Sequence, residues 1–471
     1  MSTQILEKDI KKLFKLISAT RLRKSTRSDR NNVLMATESD KARVVNAASF
    51  RRLQQKAQVF PLETNAAVRS RLTHSIEVSQ VGRYIAQEII KIINEKCDIN
   101  DLLNPNHENK NIVYETLASF SNTIETACLL HDIGNPPFGH LGEAAIQKWF
   151  AKKNLSQPEN IPYVYLPFFD GNAQGLRLVN FLSGQDKFGL NLTCSTLLAM
   201  IKYPKVLGDE PKKYKGIFGN DLKFCYEVCC KKLKWPASKI FPFALLMEAA
   251  DDIAYCTSDL EDGLEKGVIK EIQLKKEFPD LYPDVPEIED KSMLYRFIQF
   301  KTKIINEAAK ETATNFIDQL HNILDKRVTD KIELLNPQNK TLGNIKKFAR
   351  DNIYNNPKIE EIELAGYNII NGLLDSYNLI LDLKQSDFDL LIAEEYKDLP
   401  FEARLFKSIP PAYRNKYKMA KEYFENNPKE SSLPLPLLEI NLRAQMIVDF
   451  ISGMTDDFAL EKYQILKGIN L

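Results

Sequence analysis

Net charge is almost absent from this chain. Its 64 lysines and arginines face 63 aspartates and glutamates over 471 residues, so the formal charge at pH 7 is +1. Overall composition therefore excludes a strongly basic protein of the kind that binds nucleic acid or anionic membranes through charge alone. One local basic cluster could meet phosphates, although a solvated helix face explains it more simply. The cluster comprises Lys11, Lys12, Arg21, Arg23, Lys24, Arg27 and Arg30.

Long apolar runs and a cysteine framework are also missing. No apolar run approaches the roughly 20 residues that span a bilayer, and the N-terminal stretch lacks the layout of a signal peptide. The seven cysteines are odd in number and show no repeating metal-ligand spacing. This argues against a disulfide framework and favours reduced thiols. We therefore expect a cytoplasmic protein that does not enter the membrane.

Alternation of apolar and polar residues, which is typical of strands, is rare. Apolar residues instead recur at steps of three and four, as on one face of a helix. This pattern predicts an all-α, mainly helical fold. The predicted helices span 72–93, 115–132, 139–151, 173–183, 193–202, 221–233, 241–256, 290–327, 360–383 and 412–425.

One short run, Ile161 to Leu166, is the best candidate for a strand. We divide the chain into a helical N-terminal segment (1–39), a core (40–270) and a helical C-terminal region (271–471). The core is kept undivided because its candidate functional residues are far apart in sequence.

Histidine is scarce, with five residues at positions 74, 107, 131, 140 and 321. His131 and Asp132 end an apolar helical stretch, and an imidazole with a carboxylate suits a hard or borderline divalent metal. Side chains next to each other on a helix point about 100° apart, so both reach one ion only where the helix ends or bends. Gly134 and the prolines that follow it supply that ending. A chance His-Asp pair is the alternative.

Two further segments could complete a metal site. His74 lies near the start of an amphipathic helix beside Arg71, although a partly buried histidine next to a solvated arginine is the simpler interpretation of that helix alone. Asp251, Tyr255 and Asp259 stand at i, i+4 and i+8, which places them on one helical face. An ordinary acidic solvent face is the alternative there.

His140 and Glu143 form an i, i+3 pair at the start of the next predicted helix. A carboxylate beside an imidazole raises the pKa of the imidazole and fixes its tautomer, as a general acid or base requires. Glu143 could instead serve only to favour a helix N-terminus.

Together these segments resemble the HD superfamily of metal-dependent phosphohydrolases, whose ligand pattern is H…HD…D. Seven blocks in one order look like the deoxyguanosine triphosphate triphosphohydrolase (dGTPase) family. The resemblance implies an HD-domain core within 40–270 and a helical C-terminal extension. The blocks are FRRLQQKAQVF (50–60), RLTHSIEVSQVGR (71–83), LLHDIGNPPFGHLGE (129–143), FFDGNAQGLR (168–177), MIKYP (200–204), MEAADDIAY (247–255) and ISGMTDDFAL (451–460).

The resemblance implies one divalent metal per subunit, with His74, His131, Asp132 and Asp251 as its ligands. Two neutral imidazoles and two carboxylates would give a formally neutral site with open coordination positions. Mn²⁺ or Mg²⁺ is expected, and iron, cobalt or nickel would also fit.

The resemblance also implies residues that act on the phosphates. His140 and Glu143 are implied as the catalytic pair at the α-phosphate, with the choice between acid and base left open for His140. Arg71 and Lys202 are implied to face the phosphate charge, with Tyr203 beside them.

Around the deoxyribose the resemblance implies Gln58, Tyr255 and Asp259. Asp259 and Gln58 would bind the 3′ hydroxyl, and Tyr255 would take the space of a 2′ hydroxyl.

The predicted function is metal-dependent hydrolysis of dGTP, or of several dNTPs, to deoxynucleoside and inorganic triphosphate. The resemblance further implies a homo-oligomer, with a hexamer favoured, and single-stranded DNA or a nucleotide as an effector. Two alternatives stay open at this point. One is an HD-type nucleotidase or phosphodiesterase, and the other is a nucleic-acid-binding regulator with a nucleotide-sensing pocket, for which a continuous basic groove would be expected.

Overall fold

The computed structural model describes residues 3–25, 32–106, 111–156, 163–207, 215–282, 293–325, 332–335, 340–395, 399–431 and 433–469. Helices make up most of these residues, and β structure within them is limited to three isolated bridges. The all-α prediction is confirmed. No helix in the described part of the chain is long and apolar enough to cross a membrane.

The α-helices are numbered in chain order. They are α1 (Thr3–Phe14), α2 (Val33–Val45), α3 (Ala48–Arg51), α4 (Arg71–Lys96), α5 (Ile99–Leu103), α6 (Ile112–Leu130), α7 (Gly139–Leu155), α8 (Gly171–Arg177), α9 (Cys194–Ala199), α10 (Gly219–Asp221), α11 (Glu227–Leu233), α12 (Pro242–Glu265), α13 (Glu271–Glu277), α14 (Met293–Asp318), α15 (Leu320–Leu324), α16 (Lys340–Ala349), α17 (Pro357–Leu381), α18 (Gln385–Ala393), α19 (Pro400–Lys407), α20 (Pro411–Asn426), α21 (Leu435–Ser452) and α22 (Asp456–Lys467). Turns of π-helix continue α8, α10 and α16 at Leu178–Leu182, Leu222–Tyr226 and Arg350–Tyr354, and 3₁₀ turns lie at Arg52–Gln55, Leu166–Phe168 and Pro428–Glu430.

Three helices, α4, α6 and α12, pack against one another and form the frame of the site. Helix α4 begins at a capping box, in which the Ser70 hydroxyl accepts from the Thr73 amide and the Thr73 hydroxyl accepts from the Ser70 amide. Gly82 lets α4 approach α6 closely, because a Cβ there would lie 2.6 Å from the sulfur of Cys128. Helix α12 starts with Pro242 in its first turn, where the missing N–H costs nothing.

The turn after α6 is held by direct backbone contact with α8. A Cβ at Gly134 would lie 2.1 Å from both the carbonyl oxygen of Gly171 and the amide nitrogen of Gly175. Helix α6 ends at Leu130, two residues before the end of the predicted helix 115–132, and His131 and Asp132 lie in the turn that follows.

Two clusters of buried apolar side chains hold the described chain together. One surrounds α4, α6, α12 and α14, and the other surrounds α7, α17 and α21. Both draw on residues from either side of position 270, and the division of the chain at 39 and 270 remains a prediction.

Two expectations need correction. The strand at Ile161–Leu166 is wrong for its described part (163–166), because side chains rather than a neighbouring strand bind the backbone: Asn154 binds the Tyr163 amide and carbonyl, and Asn441 accepts from the Val164 amide. The basic N-terminal cluster is not wholly a solvated face, because Arg21 is buried and paired with Asp40 at 2.6 Å. Arg27 and Arg30 lie outside the described residues.

Candidate active site

Helix α4, the turn after α6, and helix α12 bring His74, His131 and Asp251 together. One ligand atom from each of these three residues lies within 4.8 Å of the others. The Nε2 atoms of His74 and His131 are both 3.4 Å from Oδ1 of Asp251, and the two rings are 5.3 Å apart in an edge-to-face arrangement. Residues far apart in the sequence therefore converge on one point.

These three residues fit a divalent metal. His131 donates its Nδ1–H to the carbonyl oxygen of Cys128 at 2.7 Å, which leaves the Nε2 lone pair facing Asp251. That Nε2 is buried and has no hydrogen-bond partner among the described residues. Burial lowers the pKa of His131, which favours the neutral form that binds metals. Burial would raise the pKa of Asp251, but the Lys202 ammonium outweighs it and holds the pKa well below its usual range, so the carboxylate is charged.

Asp132, the fourth predicted ligand, lies at the edge of this group. Its Oδ2 is 3.6 Å from Nε2 of His131 and accepts a hydrogen bond from the guanidinium of Arg71. Burial opposes ionisation of Asp132, but nearby positive charge, including that of the Arg71 guanidinium, lowers its pKa to about 2. This fourth ligand is therefore charged and lies between the metal-ligand group and the Arg71 cation.

Two cations, the buried Arg71 and the partly buried Lys202, flank the ligands, as expected for a site that takes phosphates. Lys202 donates a hydrogen bond to Oδ2 of Asp251 at 2.7 Å, and Arg71 donates to the other carboxylate, that of Asp132. Burial would lower the pKa of Lys202, but Asp251 outweighs it and raises that pKa, so the amine stays protonated. Tyr203 lies next to Lys202, and the amine of Lys215 lies 5.0 Å from the centre of its ring. Sequence reasoning missed Lys215, which carries no motif of its own.

His140 lies in the first turn of α7 and is 96% exposed. Its Nδ1 is 3.7 Å from Oε2 of Glu143, and Glu143 raises the pKa of His140 through this contact. The other oxygen of Glu143 accepts from the Gly171 amide at 3.4 Å. A Cβ on Gly139 would lie 3.0 Å from the guanidinium of Arg71, so the turn that carries His140 passes directly over that cation.

Tyr255 and Asp259 follow Asp251 along α12 at successive turns, as predicted. Tyr354, at the end of the π turn after α16, packs on Tyr255 with ring centres 6.1 Å apart and donates its hydroxyl proton to Asp259. Burial raises the pKa of Asp259 to about 7. Oδ1 of Asp259 and Oε1 of Gln58 are buried without a hydrogen-bond partner among the described residues. Nothing in the sequence pattern marks Tyr354, because its role depends on where the π turn lies in space.

Comparison with known proteins identifies the family of this chain. The HD domain family model matches residues 71–160, which include His74, His131 and Asp132. The chain is 34% identical to the deoxyguanosinetriphosphate triphosphohydrolase of Cronobacter sakazakii over 502 residues, covering 93% of this chain and 95% of the relative. Identity is also 34% to the proteins of that name from Yersinia enterocolitica, with 94% and 95% covered, and Salmonella enteritidis, with 93% and 95% covered. The chain therefore belongs to the deoxyguanosinetriphosphate triphosphohydrolase family of HD-domain proteins.

Proposed function

We propose that this protein is a metal-dependent hydrolase that converts dGTP to deoxyguanosine and inorganic triphosphate. The observation that carries the proposal is the convergence of His74, His131 and Asp251, with the cations Lys202 and Arg71 on either side. The names of the relatives support dGTP as the substrate. The other dNTPs are compared with it in the assay below.

A divalent metal, Mn²⁺ or Mg²⁺ by preference, would polarise the phosphate and lower the pKa of a bound water. His74, His131 and Asp251 would hold it, with Asp132 as the fourth ligand. Arg71 and Lys202 bind the charge of the triphosphate and orient it. Attack at the α-phosphorus breaks its bond to the 5′ oxygen and releases intact triphosphate.

His140 and Glu143 move the proton in this reaction. The raised pKa of His140 suits either delivery of a proton to the leaving 5′ oxygen or its removal from the attacking water. On the sugar, Asp259 and Gln58 bind the 3′ hydroxyl and Tyr255 packs against C2′. Oδ1 of Asp259 and Oε1 of Gln58, which are buried without a partner among the described residues, support this assignment, because such groups favour a ligand that bonds to them.

The family resemblance also supports a homo-oligomer, a hexamer by preference, and an effector site for single-stranded DNA or a nucleotide. A cytoplasmic location is supported by the seven cysteines, all of which are free and buried.

One experiment tests the reaction. Purified protein, stripped of metal and reloaded with Mn²⁺ or Mg²⁺, is incubated with each dNTP, each NTP and short DNA, and the products are separated by anion-exchange chromatography. We expect deoxyguanosine and triphosphate from dGTP, and loss of most turnover in His140→Ala. Orthophosphate with dGDP as the main products would reject attack at the α-phosphorus, and cleavage of DNA alone would favour a phosphodiesterase.

A further inference from the structure

The C-terminal part of the chain reaches back to the candidate site through one carboxylate. Asp456, the first residue of α22, is 3% exposed. Its Oδ2 accepts from the backbone amide of Ala57 at 3.0 Å, and its Oδ1 accepts from the backbone amide of Phe138 at 3.1 Å. A single side chain therefore joins two segments that are far from it in sequence.

Both segments carry residues of the proposed reaction. Ala57 directly precedes Gln58, and its neighbour Lys56 accepts from the Arg71 amide at 2.9 Å through its carbonyl oxygen. Phe138 lies two residues before His140 and has a left-handed backbone with φ of 60°. Such a backbone is costly for a bulky residue and persists only where neighbouring contacts hold it. The Asp456 carboxylate supplies one of those contacts.

Lys56 makes a parallel connection. Its buried amine donates to the carbonyl oxygens of Asn135, at 2.6 Å, and Ser452, at 2.7 Å. Asn135 lies in the turn that follows Asp132, and Ser452 ends α21. We call Lys56 and Asp456, with the backbone groups that they bind, the C-terminal bracket.

Asp456 does not serve as the N-cap of α22. Thr455 already caps α22, because its hydroxyl accepts from the Phe458 amide at 3.3 Å. Both oxygens of Asp456 point instead to amides outside that helix. The next residue, Asp457, occupies the same first turn and is exposed. The chain thus offers a matched carboxylate that lacks these contacts.

We propose that Asp456 and Lys56 are positioning residues, which fix the Gln58 segment relative to the His140 turn without contacting the substrate. The inference rests on the proposed function. It gives the start of α22 a positioning role at the candidate site. The two segments that Asp456 binds carry no candidate metal ligand, whereas Lys56 also binds the turn that follows Asp132. Loss of the Asp456 contacts should therefore disturb sugar recognition and proton transfer more than metal binding.

The test compares Asp456→Asn with Asp457→Asn in the full-length, metal-loaded protein. An amide retains one acceptor but presents N–H to the second backbone amide, so one of the two bonds is lost. We expect kcat for dGTP to fall about tenfold to a hundredfold in Asp456→Asn, as for a small misplacement of catalytic groups. The preference for dGTP over 2′,3′-dideoxy-GTP should shrink, and bound metal should be unchanged. Asp457→Asn should match the wild type.

Lys56→Met provides a second variant with a side chain of similar length, should Asp456→Asn fail to fold. It should show the same loss of sugar preference. Hydrogen exchange at the Ala57 and Phe138 amides should become faster in Asp456→Asn, and this readout does not depend on turnover. A folded variant of either residue with wild-type kcat and sugar preference would overturn the bracket alone, whereas a wild type that does not hydrolyse dGTP would overturn the proposed function.

Discussion

Asp251 contacts both candidate metal-binding imidazoles and the cation Lys202. One of its oxygens faces both imidazoles, and the other accepts from Lys202. Asp251→Ala should therefore abolish stoichiometric metal binding, because the two imidazoles keep only Asp132, which Arg71 also binds, and Lys202 loses its counter-charge beside them. Metal content after dialysis, measured by mass spectrometry, checks this expectation.

Asp252→Ala is the matched control, since Asp252 is half exposed and pairs with Lys346 instead. Full metal occupancy and activity in Asp251→Ala would remove the basis of the metal site.

His140 and Glu143 predict a shift in the pH dependence of kcat. The carboxylate raises the pKa of His140, so Glu143→Gln should lower that pKa and the imidazole should lose its proton at lower pH. The limb of the kcat profile that His140 controls should therefore move to lower pH. If His140 is the base this is the rising limb, and if it is the acid this is the falling limb.

His140→Ala supplies the control, because the limb should be absent from its residual activity. An unmoved limb in Glu143→Gln would show that another group titrates there.

Tyr255 predicts discrimination at the sugar. A ribose would place a 2′ hydroxyl against the ring without an assured partner, and an unpaired buried polar group costs about 1–3 kcal/mol, roughly ten- to a hundredfold in rate. The wild type should prefer dGTP to GTP, and Tyr255→Ala should narrow the gap mainly through better relative use of GTP. Steady-state kcat/KM values for both nucleotides check this.

Tyr354→Phe should keep the discrimination, because it retains the ring that packs on Tyr255 and loses only the hydroxyl that donates to Asp259. Equal wild-type rates for dGTP and GTP would show that this face does not recognise the sugar.

At the scale of the elements, the contact between the His131–Asp132 turn and α8 holds two candidate metal ligands in position. The glycines of the FFDGNAQGLR block make it possible, because the two backbones meet without side chains between them. Gly134→Ala would force a Cβ to within 2.1 Å of α8 backbone atoms. We expect a loss of about 1–3 kcal/mol in the free energy of unfolding, measured by urea titration, as for an overpacked core.

Gly343→Ala is the opposite case and serves as control. It lies within α16, and a Cβ there would meet nothing within 4 Å. Replacing a helical glycine by alanine in open space should raise stability by about 0.5–1 kcal/mol. Equal effects of the two substitutions would contradict the close packing at Gly134.

At the scale of the whole molecule, a buried ion pair joins the two apolar clusters. Helix α8 contributes Leu176 to one cluster and Ala173 to the other, and its last residue, Arg177, binds Asp449 of α21 through three contacts of 2.8–3.0 Å. Asp449→Ala would leave a buried guanidinium with Asp221, at 3.6 Å, as its nearest counter-charge. We expect a loss of about 3–5 kcal/mol in the free energy of unfolding.

Asp389→Ala breaks a partly exposed pair with Lys421 and should cost about 1 kcal/mol or less. A loss of that size in Asp449→Ala would show that the buried pair does not hold the clusters together.

The sequence by itself determined the helical fold and the identity of the metal-ligand candidates. Helical periodicity and the Gly-Pro break are local properties, so the end of α6 to within two residues and the shared face of Asp251, Tyr255 and Asp259 could be predicted from neighbouring residues alone. The family resemblance then assigned roles to them.

Only the tertiary structure decided how those residues are partnered. In the folded chain Arg71 binds Asp132, Tyr354 binds Asp259, and Asp456 binds the amides of Ala57 and Phe138. Each of these contacts joins positions that are at least 61 residues apart. Periodicity indicates which face of a helix is buried. The partners of a side chain depend instead on how whole helices pack together, and no local sequence pattern encodes that packing.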